Sequence, residues 1–151
     1  MKYLIVKKSV LITLFIVLTS CNSLKTALFD QHSYEQSISL KVEAVDLINK
    51  AIEPYAIHKD EISFYLKEYE KLKEYEKNKS NNQLSYKMMQ LIGDPDKNLL
   101  GGFFKHWKEK STLSSFFIIE AKGQITEAFD ILIRYESRKD EKEMNTFLLN
   151  K

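Results

Sequence analysis

The chain has 151 residues, of which 44% are hydrophobic and 29% charged, with only four glycines, two prolines and one cysteine. A chain of average composition would contain roughly ten glycines and seven or eight prolines, which argues against β-sandwiches and barrels because their many turns need these residues. One cysteine excludes an internal disulfide framework. Nine Phe, eight Tyr and one Trp argue against a wholly disordered chain. The length favours one domain.

The N-terminus is predicted to be a secretory signal peptide. Three lysines, Lys2, Lys7 and Lys8, precede an uncharged apolar run at 10–18. A membrane-spanning helix needs about 20 apolar residues. The run is therefore too short to span a bilayer and fits the apolar region of a signal peptide.

The only cysteine follows this run directly. The stretch Leu18-Thr19-Ser20-Cys21 resembles the lipobox of bacterial lipoprotein precursors. The resemblance implies that the Cys21 thiol receives a diacylglycerol, and that a type II signal peptidase cuts before it. Membrane lipid, reached through Cys21, is then the first expected partner, in a bacterial cell envelope. Asn22 rather than Asp follows, which favours the outer membrane if the host has two membranes.

Removal of the signal peptide changes the charge balance. The whole chain has 23 basic and 21 acidic residues, a net charge of +2. Residues 1–20 contain three lysines and no acid, which leaves 20 basic and 21 acidic side chains and a net charge of −1 for the mature chain. A nucleic-acid partner is not expected, because its usual basic footprint is missing.

The mature chain is predicted to be all-α, an antiparallel bundle of about four helices. Ser33 and Gln36 form a capping box, which predicts a first helix from about Ser33 to Ile52. Pro54 predicts a sharp joint, with a kinked helix as the alternative. The second helix continues to about Lys77. The first helix has two adjacent apolar rows: Ile38, Val42, Val45 and Ile52, and Leu40, Ala44, Leu47 and Ala51.

The next region alternates breaks and helices. After a polar loop at 78–82, Asn82 is predicted to cap a third helix that stops at Gly93. The segment 99–107 combines two adjacent glycines with an aromatic cluster. It is interpreted as a mobile hinge or as a membrane-facing patch, because paired glycines disfavour a rigid helix interior.

A last long helix is predicted from Ser111 or Ser114 to about Lys139. Gly123 in its middle is expected to permit the close approach of another helix. Glu120 and Gln124 lie on its apolar line, either as a buried polar pair or facing a groove. The predicted organisation is a signal peptide at 1–20, a lipidated tether at 21–32, a helical bundle domain at 33–140 and a C-terminal tail at 141–151.

No catalytic or metal-binding residue is predicted. His32 and His106 each precede a glutamate by three residues, which reverses the spacing of di-iron bundles, and His58 is expected to be a partly buried seam residue. The zinc motif His-Glu-x-x-His, the motif Cys-x-x-Cys and the serine-nucleophile motif Gly-x-Ser-x-Gly are absent from the sequence. The chain is therefore expected not to be an enzyme and to need no cofactor.

The predicted function is a non-catalytic envelope lipoprotein that binds an envelope protein, in a scaffold or immunity-like role. Tyrosine offers an apolar ring with a polar tip, which suits interfaces; the alternative is a bundle edge covered by its neighbours. Two other functions stay open: a carrier of lipid or a small apolar ligand, gated by 99–107, and a metal-dependent enzyme. The candidate partner or ligand face comprises Tyr55, Tyr65, Tyr69, Phe103, Phe104 and Trp107.

Overall fold

A computed structural model describes residues 27–150. The predicted all-α class is confirmed, since the described residues form six α-helices and no strand. The signal peptide and Cys21 lie outside the described residues. The helices, numbered in chain order, are α1 (Gln31–Asn49), α2 (Tyr55–Asn78), α3 (Gln83–Gly93), α4 (Leu100–Lys110), α5 (Ser115–Arg138) and α6 (Glu141–Leu149).

The break at Pro54 is the predicted sharp joint. A 3-10 turn at Lys50–Ile52 follows α1, and Pro54 immediately precedes the first residue of α2. Because proline has no N–H to donate, it fits the position before a helix better than its interior. The Tyr55 amide donates to the Ser111 carbonyl oxygen at 2.7 Å, which ties the joint to the loop after α4.

The helices pack as an antiparallel bundle. α1 runs against both α2 and α5, while the short helices α3 and α4 pack on one another and on α2. α6 folds back onto α3 and α5. The bundle therefore has two ends. The tether end contains residues 27–30, the loop 79–82 and Lys139; the joint end contains residues 50–55 and 111–113.

The start of α1 differs from the prediction. Asp30, not Ser33, caps the helix, and its side chain accepts from the His32 amide at 3.0 Å. Ser33 lies in the first turn with no exposed surface. Two residues assigned to the tether therefore belong to α1.

The segment 99–107 is not a hinge or a membrane-facing patch. It forms most of α4, and its large apolar side chains are buried in the core. The paired glycines permit close backbone packing: a Cβ on Gly101 would overlap the Gly93 carbonyl, and one on Gly102 would overlap that of Lys97. The close approach expected at Gly123 is absent, since a Cβ there would meet no atom within 4 Å.

The C-terminal segment forms a helix that docks. Asp140 caps α6, and Met144 is fully buried in the core. Phe147 and Leu148 are partly buried against the same core. Part of the predicted C-terminal tail at 141–151 therefore belongs to the bundle.

Candidate functional site

The six residues of the predicted partner face belong to the core, which corrects that prediction. Five are buried, and Tyr55 is half-buried. The reason is that the aromatic rings fill the space between helices, and the polar tips of Tyr65, Tyr69 and Trp107 bond inside the bundle. The six residues are Tyr55, Tyr65, Tyr69, Phe103, Phe104 and Trp107.

Two of the tyrosines show how the polar tips are satisfied. The Tyr65 hydroxyl donates to the Leu40 carbonyl oxygen at 3.2 Å, and the Tyr69 hydroxyl donates to that of Met89 at 2.6 Å. Burial raises the pKa of both phenols well above the usual value, with nearby negative charge adding to the effect. These rings cross-link α2 to α1 and α3, and they offer no surface to a partner.

The joint end is closed by an aromatic cluster around Trp107. Its indole Nε1 donates to the Glu53 carbonyl oxygen at 2.9 Å. The rings of Tyr55, His58 and Phe103 lie with centroids 5.5, 5.7 and 6.3 Å from the Trp107 ring. The His58 Nε2 is 2.7 Å from Glu53 Oε2. The side chain of His58 is 12% exposed, which confirms the prediction of a partly buried seam residue.

The tether end holds the entering chain in a clamp, which we call the tether clamp: Ala27, Asp30, Tyr75, Lys79 and Asn81. The Ala27 amide donates to the Asn81 carbonyl oxygen at 2.9 Å. Asp30 Oδ2 accepts from the Tyr75 hydroxyl at 2.7 Å and from Lys79 Nζ at 3.2 Å. Residues 27–30 are therefore fixed to the end of α2 and to the loop that follows it.

The clamp changes the pKa of two of its side chains, Asp30 and Tyr75. Burial raises the pKa of Asp30, but the hydrogen bonds from Tyr75 and Lys79 outweigh it and lower that pKa to about 2. Donation to the Asp30 carboxylate, together with burial, raises the pKa of Tyr75 to about 12. Asp30 is thus ionised and Tyr75 neutral across the physiological range.

Two buried glutamates lie behind the clamp. Glu136 is 1% exposed and accepts from Ser85 Oγ and from Lys139 Nζ. Lys79 Nζ lies 3.8 Å from Glu136 Oε2 and 3.4 Å from Glu76 Oε2. Lys79 therefore connects the clamp to both buried carboxylates.

Glu76 is the less satisfied of the two. It is 2% exposed, and its Oε2 accepts from the Asn82 amide. Its Oε1 is buried without a hydrogen-bond partner. Asn82 occupies the N-cap position of α3, as predicted, but its side chain makes no capping hydrogen bond. Since buried charges are costly unless they are paired, this arrangement depends on Lys79 and Lys139.

The α1–α2 groove is an exposed surface that the sequence did not reveal. Val42 and Phe64 are 62% and 64% exposed, and both line a groove of about 370 Å³ between the two helices. Its rim carries Glu43, Asp46 and Glu61. The spacing of Phe64 two residues after the buried Ile62 was a signal that it points away from the seam of α2, but Val42 falls within a predicted apolar row.

A lysine crosses the rim of this groove. Lys50 Nζ is 2.7 Å from Asp46 Oδ2 and 2.6 Å from Glu61 Oε1. Hydrogen bonds to these two carboxylates raise the pKa of Lys50. Two of the three rim carboxylates thus pair with Lys50, while Glu43 accepts from the Ser39 hydroxyl at 2.9 Å.

A second groove, of about 560 Å³, lies between α4 and α5. The rings of Phe103 and Phe117 stack there with centroids 6.1 Å apart. Glu120 and Gln124 are exposed on its wall, so the groove-facing alternative is correct for them. The lining mixes charged and apolar groups, unlike the apolar pocket that a lipid carrier needs.

Within residues 27–150 no three His, Cys, Asp or Glu side chains are grouped in a way suited to holding a metal ion. His32 packs on Tyr75, and His106 packs on Phe117, with ring centroids 4.8 and 4.9 Å apart.

None of the six helices of residues 27–150 has the length and apolarity to span a bilayer. No protein-family model, curated protein or solved structure matches the chain.

Proposed function

We propose that the protein is a lipid-anchored protein of the bacterial cell envelope whose helical domain binds a protein partner. The observation that carries the proposal is the lipobox-like Leu18-Thr19-Ser20-Cys21 at the end of a short apolar run. Two acyl chains are enough for stable anchoring. Because the aromatic and apolar core is buried, a partner would have to bind the exposed surface of the domain.

The position of the tether clamp supports an anchored domain. Six peptide units join Cys21 to Ala27, so the anchor lies at most about 22 Å from the clamp. Because residues 27–30 already bond to the bundle, only this short stretch of chain separates the anchor from the packed domain.

The α1–α2 groove is the surface best suited to a protein partner. Exposed apolar side chains grouped on one surface mark interaction sites, and Val42 and Phe64 share this groove. The rim carboxylates favour a partner that presents an apolar side chain beside a basic group. Val42 is eleven residues after the start of α1, so the groove lies about 17 Å from the tether end along the helix axis.

The partner proposal is tested by crosslinking in native membranes followed by purification of the tagged full chain. We expect a stoichiometric envelope protein with the wild type, its loss with Phe64→Asp, and its retention with Phe116→Asp. Phe116 is the matched control because it is 75% exposed and lies on α5, away from the groove. A blank with the wild type, or equal recovery with both variants, would contradict the assignment.

The anchor is tested separately with Cys21→Ser. The variant should lose acyl labelling and membrane retention, since the thiol is the only attachment point for diacylglycerol. Persistence of labelling in this variant would show that the lipobox was misidentified.

A further inference from the structure

Two large apolar side chains at the tether end have no place in the core. Leu28 is 72% exposed and Phe29 is 56% exposed, although the flanking Ala27 is buried and Asp30 is held by the clamp. Among residues 27–150, the aromatic ring beside Phe29 is that of Tyr34, with centroids 6.1 Å apart. The fold therefore fixes the backbone on both sides of the pair while leaving the pair itself in solvent.

The length of chain between Cys21 and Leu28 limits how far this pair can lie from the anchor. Seven peptide units join Cys21 to Leu28, a span of at most about 25 Å. The joint end is much farther away, because the 24 residues of α2 extend about 36 Å. If Cys21 is acylated, the tether end is therefore the part of the bundle nearest the membrane anchor.

We propose that Leu28 and Phe29 seat the tether end in the interfacial layer of the bilayer. This inference rests on the proposed lipid anchor. Apolar side chains bury at the boundary between headgroups and acyl chains, and the tether clamp holds this pair on the membrane-proximal end. The long axis of the bundle then points away from the membrane surface, rather than taking any orientation about the anchor.

The seating has a consequence for the proposed partner site. The α1–α2 groove lies part-way along the raised bundle, so it opens sideways above the membrane surface. A partner held in the same membrane reaches it without passing beneath the domain.

The test uses the lipidated full chain in vesicles of neutral phospholipid, with a fluorophore on a single introduced thiol. Acylation of Cys21, the only cysteine, leaves no other thiol to label. Phe29→Cys reports on the tether end. Phe64→Cys is the matched control, because both positions hold an exposed phenylalanine, 56% and 64% exposed.

We expect the probe at 29 to be at least about threefold less accessible to aqueous iodide than the probe at 64, and to be quenched by brominated acyl chains. Leu28→Ser in the Phe29→Cys background should weaken that quenching. Equal iodide quenching at both positions in vesicles that carry the protein would overturn the seating while leaving the anchor intact. Protection of position 29 in native membranes but not in pure lipid would assign the pair to a protein partner and also overturn it.

Failure of the anchor itself has a different signature. A processed chain that does not float with the vesicles and lacks an acyl group would refute the lipid anchor, and the seating with it.

Discussion

The two ends of the bundle are held by different chemistry. At the joint end, aromatic rings surround Trp107, which has no exposed surface. At the tether end, Asp30, Tyr75 and Lys79 form directional bonds in front of two buried glutamates. Ring packing stabilises the joint end through the apolar area that it buries. The charge pairs at the tether end instead fix the position at which residues 27–30 join the bundle. The end that would carry the anchor is thus the one held by a charge network around buried carboxylates.

The largest expected effect is at the joint end. Trp107→Ala removes a fully buried indole and its bond to Glu53, and we expect it to lower the free energy of unfolding by about 3–5 kcal/mol. Denaturant unfolding measures the loss. Phe116→Ala is the control, since a 75% exposed ring should change stability by less than about 0.5 kcal/mol. Similar losses for both variants would show that the aromatic cluster is not the main support of this end.

The next effect is at the tether end. Lys79→Met keeps the aliphatic stem but removes the cation shared by Asp30, Glu76 and Glu136. We expect a loss of about 3 kcal/mol, because buried carboxylates are left without one of their counterions. Lys77→Met is the control: Lys77 pairs with Glu74 on an exposed surface and should change stability little. An unchanged midpoint for Lys79→Met would contradict the role of Lys79.

Asp30→Asn should have a smaller effect that depends on pH. At pH 7 the variant loses the charge-assisted bonds of the clamp, which we expect to cost about 1–2 kcal/mol. The native pKa of Asp30 is lowered from 3.8 to about 2. Its contribution is therefore fully present above pH 4 and disappears as the pH falls towards 2.

The measurement is the difference in unfolding free energy between wild type and Asp30→Asn across this range. The two proteins should converge below pH 4. A gap that stays constant down to pH 2 would exclude ionisation of Asp30 as its source.

The smallest effect is expected for Tyr75→Phe. It removes one hydroxyl donor from Asp30 and leaves the ring, so about 1 kcal/mol should be lost at pH 7. In the wild type this contribution persists up to about pH 10 and declines towards the raised pKa of about 12. Alkaline unfolding curves that coincide for the two proteins at every pH would contradict the bond.

Local signals predicted much of the fold. Pro54 marked the joint, and Ser114 caps α5 by accepting from the Phe117 amide at 3.3 Å. Each feature acts within a few residues, so its neighbours in sequence reveal it. The apolar periodicity likewise indicated α1, α2, α3 and α5, whereas the short helices α4 and α6 were predicted as a hinge or patch and as a tail.

The parts that were not predicted depend on contacts between distant residues. Asp30 and Tyr75 are 45 positions apart, and no local pattern pairs them. Periodicity shows which apolar residues share a stripe but not how deep they lie, so the buried Tyr65 and Trp107 were assigned to a surface while the exposed Phe64 was overlooked.

The lipid anchor is tested most directly by the intact mass of the protein extracted from native membranes, with sequencing of its N-terminal peptide. We predict a mature chain that begins at Cys21 and carries a diacylglyceryl group on the cysteine sulfur. An unmodified Cys21, whether in an uncleaved chain or in one cut at another residue, would contradict the anchor.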